Sequence, residues 1–110
     1  MATLNAPWGP AWATICSFDQ ICVDAEPCAA APLKIVLTEG TRPGEVQLTS
    51  VEGAVVMRLG RSDFGGFLLG FSERAVHVLT TNDGRDARYT KHHFEGPVAV
   101  THLGACDWDG

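Results

Sequence analysis

Apolar and polar residues alternate along several short runs of the chain. Leu33, Ile35 and Leu37 occupy every second position of one run, and Val46 and Leu48 do the same in the next. A period of two is typical of a β-strand that buries one face and exposes the other. No stretch shows a comparable helical period. The pattern therefore predicts a protein built from β-strands.

Turn-forming residues separate these runs about every ten residues, in clusters of Gly, Pro, Asn and Asp. Between Pro27 and Pro32 the alanines leave room for one helical turn at most. The remaining chain divides into eight predicted strands: residues 12–18, 33–38, 45–50, 54–59, 66–72, 75–81, 87–94 and 97–103.

Eight short strands with short connections indicate an all-β fold. We expect an antiparallel meander that forms either a small barrel or a two-sheet sandwich. A chain of 110 residues holds one domain, here residues 1–110 with an irregular lead over residues 1–11. Closure into a barrel would remove the exposed edges of the sheet.

Four cysteines allow three disulfide pairings. Cys22 and Cys28 bracket a short segment compatible with a turn, and Cys16 and Cys106 lie in the first and last predicted strands. We therefore favour Cys22 with Cys28 and Cys16 with Cys106. A zinc site made of the four cysteines is disfavoured, because gaps of five residues fit poorly with the usual ligand spacing.

Charge and composition exclude two classes of partner. The net charge is −5, and the six arginines and two lysines are scattered, so no basic stripe is present to follow a nucleic acid backbone. No run of eighteen apolar residues occurs, so no membrane span is predicted. The remaining partners are an unknown protein or a small molecule.

The compartment is predicted from conflicting signals. The first residues lack the basic and apolar regions of a secretory signal, whereas an even number of cysteines favours an oxidising compartment. We expect a mature periplasmic or secreted protein in which an initiator Met1 replaces the signal peptide. A native Met1 would argue against export.

Three histidines are the weak candidates for a metal site. In one register of the last three strands, His77, Thr90 and His102 share a row, and His92 lies two residues from Thr90 on the same face. A slip of one residue would send His102 to the other face. His92 lies diagonally across the strands from His77 and His102, and diagonal neighbours are too far apart to converge easily on one ion. No carboxylate is evident beside the imidazole rings to orient them. We therefore predict no metal site and no cofactor.

No catalytic motif is present. The serines lack a Gly-x-Ser-x-Gly elbow, and Asp63-Phe64-Gly65 lacks the other motifs of a kinase. The sequence thus predicts a protein that is not an enzyme.

Three tryptophans lie near the termini, at Trp8, Trp12 and Trp108. They are candidate partner-binding residues, because tryptophan is enriched at interface hot spots. The alternative, which we favour, is a plug over an open end of the barrel.

Both ends of the chain resemble a family. The opening Cys16-x5-Cys22-x5-Cys28 and an ending that includes Gly96-Pro97-Val98-Ala99-Val100 and Cys106 resemble uncharacterised small exported four-cysteine β proteins of alphaproteobacteria. The resemblance does not extend over residues 33–70. It implies export, a four-cysteine framework and a small β fold, without an activity.

A looser similarity is to periplasmic lysozyme inhibitors, which are also small disulfide-bonded β-barrels. Their Ser-Gly and Tyr/Lys inhibitory motifs are absent, and Ser72-Glu73-Arg74-Ala75 stands where a Ser-Gly loop would be sought. We expect a non-enzymatic periplasmic binding or accessory protein. The alternatives are an inhibitor of a cell-wall hydrolase and a histidine-based metal-binding protein.

Overall fold

The strands close into a single antiparallel barrel. A computed structural model describes residues 13–63, 65–82, 86–96 and 98–107. Each strand pairs with its neighbours in the chain, and the last pairs with the first. This confirms the all-β prediction and selects the barrel over the sandwich. The strands are β1 (Ala13–Val23), β2 (Ala29–Glu39), β3 (Glu45–Ser50), β4 (Gly53–Ser62), β5 (Gly65–Phe71), β6 (Ala75–Thr81), β7 (Asp86–His93) and β8 (Ala99–Asp107).

The apolar core fills the barrel with alternate residues of each strand. Ile35 and Leu37 of β2 are fully buried, as the sequence alternation predicts, and Leu48 of β3 lies opposite Leu37. Met57 and Leu79 continue this layer on β4 and β6. Burial of such side chains stabilises the fold by about 1.5–3 kcal/mol each. The described residues contain no helix long and apolar enough to cross a membrane.

The two predicted disulfides are confirmed. Cys16 and Cys106 lie directly opposite each other on β1 and β8, and their bridge is buried inside the barrel. Cys22 and Cys28 are six residues apart and close the tip of the β1–β2 hairpin. In the loop-entropy account the long bridge contributes roughly 4 to 5 kcal/mol to stability and the short one about 2.

The second and last strands, β2 and β8, are longer than predicted. Residues 29–31 belong to β2 instead of forming a helical turn, because Ala29 pairs with Ile21 and Ala30 with Gln20. β8 continues to Asp107, which pairs with Ile15 across the seam between β1 and β8. Tertiary pairing, which a local pattern does not contain, therefore sets these bounds.

The seam carries a β-bulge between Phe18 and Gln20. The extra residue shifts the alternation on β1 by one position, so that Phe18 and, beyond the bulge, Ile21 both lie opposite inward positions of β8. Gly104 pairs with Phe18, and a Cβ atom at Gly104 would collide with the Ser17 carbonyl. Only glycine allows β8 to approach β1 this closely.

The barrel has two distinct ends. The β1–β2, β3–β4, β5–β6 and β7–β8 connections surround one end, which we call the mouth. The start of β1 and the end of β8 lie at the opposite end. Trp8, Trp12 and Trp108 fall outside the described residues, so their predicted docking or plugging role stays a prediction.

Candidate functional site

Polar side chains line the interior near the mouth. His77 on β6, Tyr89 and Lys91 on β7 and His102 on β8 are all buried. His77 pairs with Lys91, and Tyr89 with His102, so alternation brings all four to the inner face. The rest of the described core is mainly apolar, which makes this polar cluster a distinct feature.

His77 has a hydrogen-bond partner on each side of its ring. Its Nδ1 lies 2.7 Å from the Tyr89 hydroxyl and its Nε2 lies 2.9 Å from Ser72 Oγ. Ser72 starts the β5–β6 turn, where its Oγ also accepts a hydrogen bond from the Ala75 N–H at 3.2 Å. The turn thereby fixes the serine, and the serine helps to fix the imidazole ring.

Lys91 forms an ion pair across the mouth. Its Nζ lies 3.2 Å and 3.5 Å from the two carboxylate oxygens of Glu52, in the β3–β4 turn. The lysine side chain is 10% exposed and the glutamate side chain 65%. The pair thus joins a buried cation to a carboxylate that remains in contact with water.

A cavity of about 450 Å³ opens at this position. Its wall includes the β3–β4 and β5–β6 turns and the inner faces of β6 and β7. This volume lies within the range of about 300–1,000 Å³ that is usual for small-molecule sites. The polar groups that line it include Ser50, Glu52, Ser72, His77, Tyr89 and Lys91.

Burial and charge keep the cluster rings neutral. Burial, followed by the nearby Lys91 ammonium, lowers the pKa of His77 and of His102 below the usual histidine range. Burial, followed by the Glu52 carboxylate, raises the pKa of the Tyr89 hydroxyl. At neutral pH the interior therefore holds two neutral imidazoles and a phenol beside one ammonium group.

His102 differs from His77 in its surroundings. Both of its ring nitrogens are buried and have no hydrogen-bond partner among the described residues. The ring lies nearly parallel to Tyr89, with centroids 5.8 Å apart, and 6.1 Å from the Phe18 ring. His102 is thus packed as an aromatic ring.

The structure separates the three candidate metal ligands. His77 and His102 point into the barrel, whereas His92 is exposed on the outer face, because its neighbour Lys91 points inward. The register that would place His77, Thr90 and His102 in one row is wrong by one residue. Among the described residues no group of three potential metal-ligating side chains is found.

Sequence reasoning missed most of the cluster. Ser72 was considered only for two sequence motifs, a catalytic elbow and a Ser-Gly inhibitory loop, and Glu52, Tyr89 and Lys91 were not singled out. The available signal was on β7, where Tyr89, Lys91 and His93 occupy alternate positions and are polar. Polar residues on the inner face of a barrel strand indicate a ligand site or a hydrogen-bond network. The sequence alone does not show which face of the strand is the inner one, because that depends on the register.

Comparison with protein families, with curated proteins and with solved structures finds no match for this chain. Its function must therefore be inferred from the geometry of the mouth itself.

Proposed function

We propose that this protein is a non-enzymatic binding protein of the periplasm or another extracytoplasmic compartment. It binds a small polar molecule in the mouth of the barrel. One observation carries the proposal: the buried polar side chains of β6 and β7 converge on a single cavity with the β3–β4 and β5–β6 turns. Eight-stranded barrels have interiors wide enough for one small ligand.

The disulfides support an exported location. Both described bridges, Cys16–Cys106 and Cys22–Cys28, are consistent with an oxidising compartment. In the cytosol, thiol reductants would reduce the long bridge, and the protein would lose the roughly 4 to 5 kcal/mol that this bridge contributes to stability.

The arrangement of Ser72, His77 and Tyr89 favours binding over catalysis. A serine, a histidine and a third group in hydrogen-bond contact resemble the geometry of an activated nucleophile. A catalytic histidine must become an imidazolium, which a carboxylate partner normally stabilises. Here the third group is a phenol, and burial and Lys91 both lower the pKa of His77.

The proposed cavity is tested by probes that fill it. Acetate, acetamide and glycerol are titrated separately, and the amide chemical shifts are followed by NMR. We expect at least one probe to shift residues of the β3–β4 and β5–β6 turns. Ser50→Phe should abolish these shifts, because Ser50 lines the cavity and a large ring would occupy it.

Ser17→Phe is the matched control, since Ser17 is exposed on the outer face of β1. Shifts that survive in Ser50→Phe, or no mouth shifts with any probe, would contradict the proposal. A separate assay with p-nitrophenyl acetate addresses catalysis. We expect no turnover above the buffer rate, and turnover that is lost in Ser72→Ala would show an enzyme.

Inhibition of a cell-wall hydrolase is the second candidate. An inhibitor would need a protruding segment, and Val51 in the β3–β4 turn is 93% exposed at the mouth. The turn has only two residues between β3 and β4, too few to reach deep into an enzyme cleft. We therefore expect lysozyme turnover to be unchanged by the protein, and stoichiometric inhibition would favour this candidate.

A further inference from the structure

The hydrogen bonds of Ser72 determine the tautomer of His77. The Ser72 hydroxyl accepts hydrogen bonds from the N–H of Ala75 at 3.2 Å and of Arg74 at 3.4 Å. Its single hydrogen has two acceptors within reach, His77 Nε2 at 2.9 Å and the Ala75 carbonyl at 3.4 Å. The shorter distance favours donation to Nε2.

This tautomer leaves the Tyr89 hydroxyl with an unused hydrogen. If Nε2 accepts from Ser72, the proton of the neutral His77 ring is on Nδ1, and Nδ1–H donates to the Tyr89 oxygen at 2.7 Å. The Tyr89 O–H is then available to an acceptor in the cavity that Tyr89 lines.

Lys91 places a second donor beside Tyr89. The two residues are separated by one position on β7, so both side chains lie on the inner face. Lys91 Nζ lies 5.9 Å from the centre of the Tyr89 ring. An ammonium and a phenolic O–H thus face the same cavity, and the ammonium group has no acceptor capacity of its own.

The present partner of Lys91 is replaceable. Glu52 is 65% exposed and lies in a two-residue turn, so its carboxylate can rotate into water with little loss of packing. Lys91 is buried and needs an anion close by, because a buried charge without a partner is costly. Glu52 therefore occupies a position that a ligand anion can take.

We propose that the mouth binds a small organic carboxylate, which pairs with Lys91 in place of Glu52 and accepts a hydrogen bond from Tyr89. The proposal rests on the proposed binding function and names its ligand class. A carboxylate matches the site because it is acceptor-only and has two oxygens, one for each donor. The net charge of −5 should weaken nonspecific binding of carboxylates elsewhere on the protein.

The test compares carboxylates with a neutral analogue at constant ionic strength. Acetate and lactate are titrated at pH 7 into the disulfide-intact protein, with acetamide as the neutral analogue and chloride as the inorganic anion. Amide shifts of the mouth residues give each dissociation constant. We expect the two carboxylates to bind and acetamide and chloride not to bind.

Three variants identify the binding groups. Glu52→Gln removes the carboxylate that competes with the ligand for Lys91. If Glu52 is paired with Lys91 in about nine-tenths of unliganded molecules, this variant should bind carboxylates about tenfold more tightly. Lys91→Met should abolish binding. Glu39→Gln, which removes an exposed carboxylate at the opposite end of the barrel, should leave binding unchanged. Amide dispersion verifies that Lys91→Met is folded, and Glu52→Gln alone decides the test if it is not.

The outcomes distinguish a failure of the carboxylate inference from a failure of the proposed binding function. Equal or weaker carboxylate binding by Glu52→Gln, or binding that survives in folded Lys91→Met, overturns the carboxylate inference. Mouth shifts with acetamide or glycerol but not with carboxylates overturn it as well, while the binding function stands. If no probe shifts the mouth residues, both proposals fail.

Discussion

At the scale of single residues, His102 is the most unusual side chain of the barrel. It is 6% exposed, and both ring nitrogens lack hydrogen-bond partners within the described part of the chain. A buried polar group without partners costs about 1–3 kcal/mol. The groups around it and its neighbour His77 include Tyr89, Lys91 and Glu52, and Lys91 disfavours a second positive charge nearby.

Stability should therefore fall under mild acid. The pKa values of His77 and His102 are lower in the folded protein than the unfolded value of about 6.5. Below about pH 6.5 the unfolded chain binds more protons than the folded one, so the free energy of unfolding decreases as the pH falls. The loss approaches at most about 1.4 kcal/mol per pH unit for each histidine.

Urea unfolding at pH 8 and pH 5.5 measures this loss. His102→Phe should reduce it, because a phenylalanine ring fits beside Phe18 and Tyr89 and does not titrate. His92→Gln, on the exposed outer face, is the control and should keep the loss seen in the unsubstituted protein. An equal pH dependence in His102→Phe would show that His102 does not contribute.

At the scale of elements, the tip of the β1–β2 hairpin is attached to the start of β8. Asp24 has a φ of 48°, in the left-handed region that Asp and Asn tolerate better than most residues. Its backbone N–H donates to the Ala99 carbonyl at 2.8 Å, and its carboxylate accepts from the Ala99 N–H at 2.9 Å. The hairpin is thereby held against the barrel beyond the last pair of the seam.

Asp24→Ala should destabilise the protein by about 2–3 kcal/mol, since it loses a hydrogen bond of about 1 kcal/mol and places alanine in a left-handed conformation that costs roughly 1–2 kcal/mol. Asp24→Asn keeps an oxygen acceptor and tolerates this conformation, so it should lose less than half as much. Denaturant midpoints decide between them. An equal loss of stability in the two variants would show that the side-chain oxygen kept in Asp24→Asn does not replace the Asp24 carboxylate as the acceptor for the Ala99 N–H.

The sequence predicted elements better than it predicted the site. Alternation and turn residues located all eight strands, because those signals are local. The inner face of β7 depends on the β6–β7 register, in which Thr81 pairs with Ala87. The register considered from the sequence was wrong by one residue. It therefore made His92, which points outward, a candidate site residue and passed over Lys91, which points inward.

At the scale of the whole molecule, closure depends on how tightly β8 meets β1. Gly104→Ala should destabilise the barrel by about 1–3 kcal/mol, because its Cβ would collide with the Ser17 carbonyl and the backbone must shift. Gly66→Ala is the matched strand control, since a Cβ at Gly66 would lie 3.8 Å from the nearest heavy atom, the Gly60 carbonyl oxygen. Thermal unfolding of the two variants compares them, and equal midpoints would contradict the close approach.

The order in which the bridges form follows from the spacing of the cysteines. Cys22 is six residues from Cys28 and also six residues from Cys16, so loop length in the unfolded chain does not distinguish the native short bridge from this mispairing.

Once β1 is extended, however, Cys16 and Cys22 are separated by about 20 Å along one strand and are too far apart to bond. The β1–β2 hairpin, a fast local event, should therefore direct the first oxidation to Cys22 and Cys28. The Cys16–Cys106 bridge, which spans 90 residues, should form last, when the non-local β1–β8 pairing completes folding.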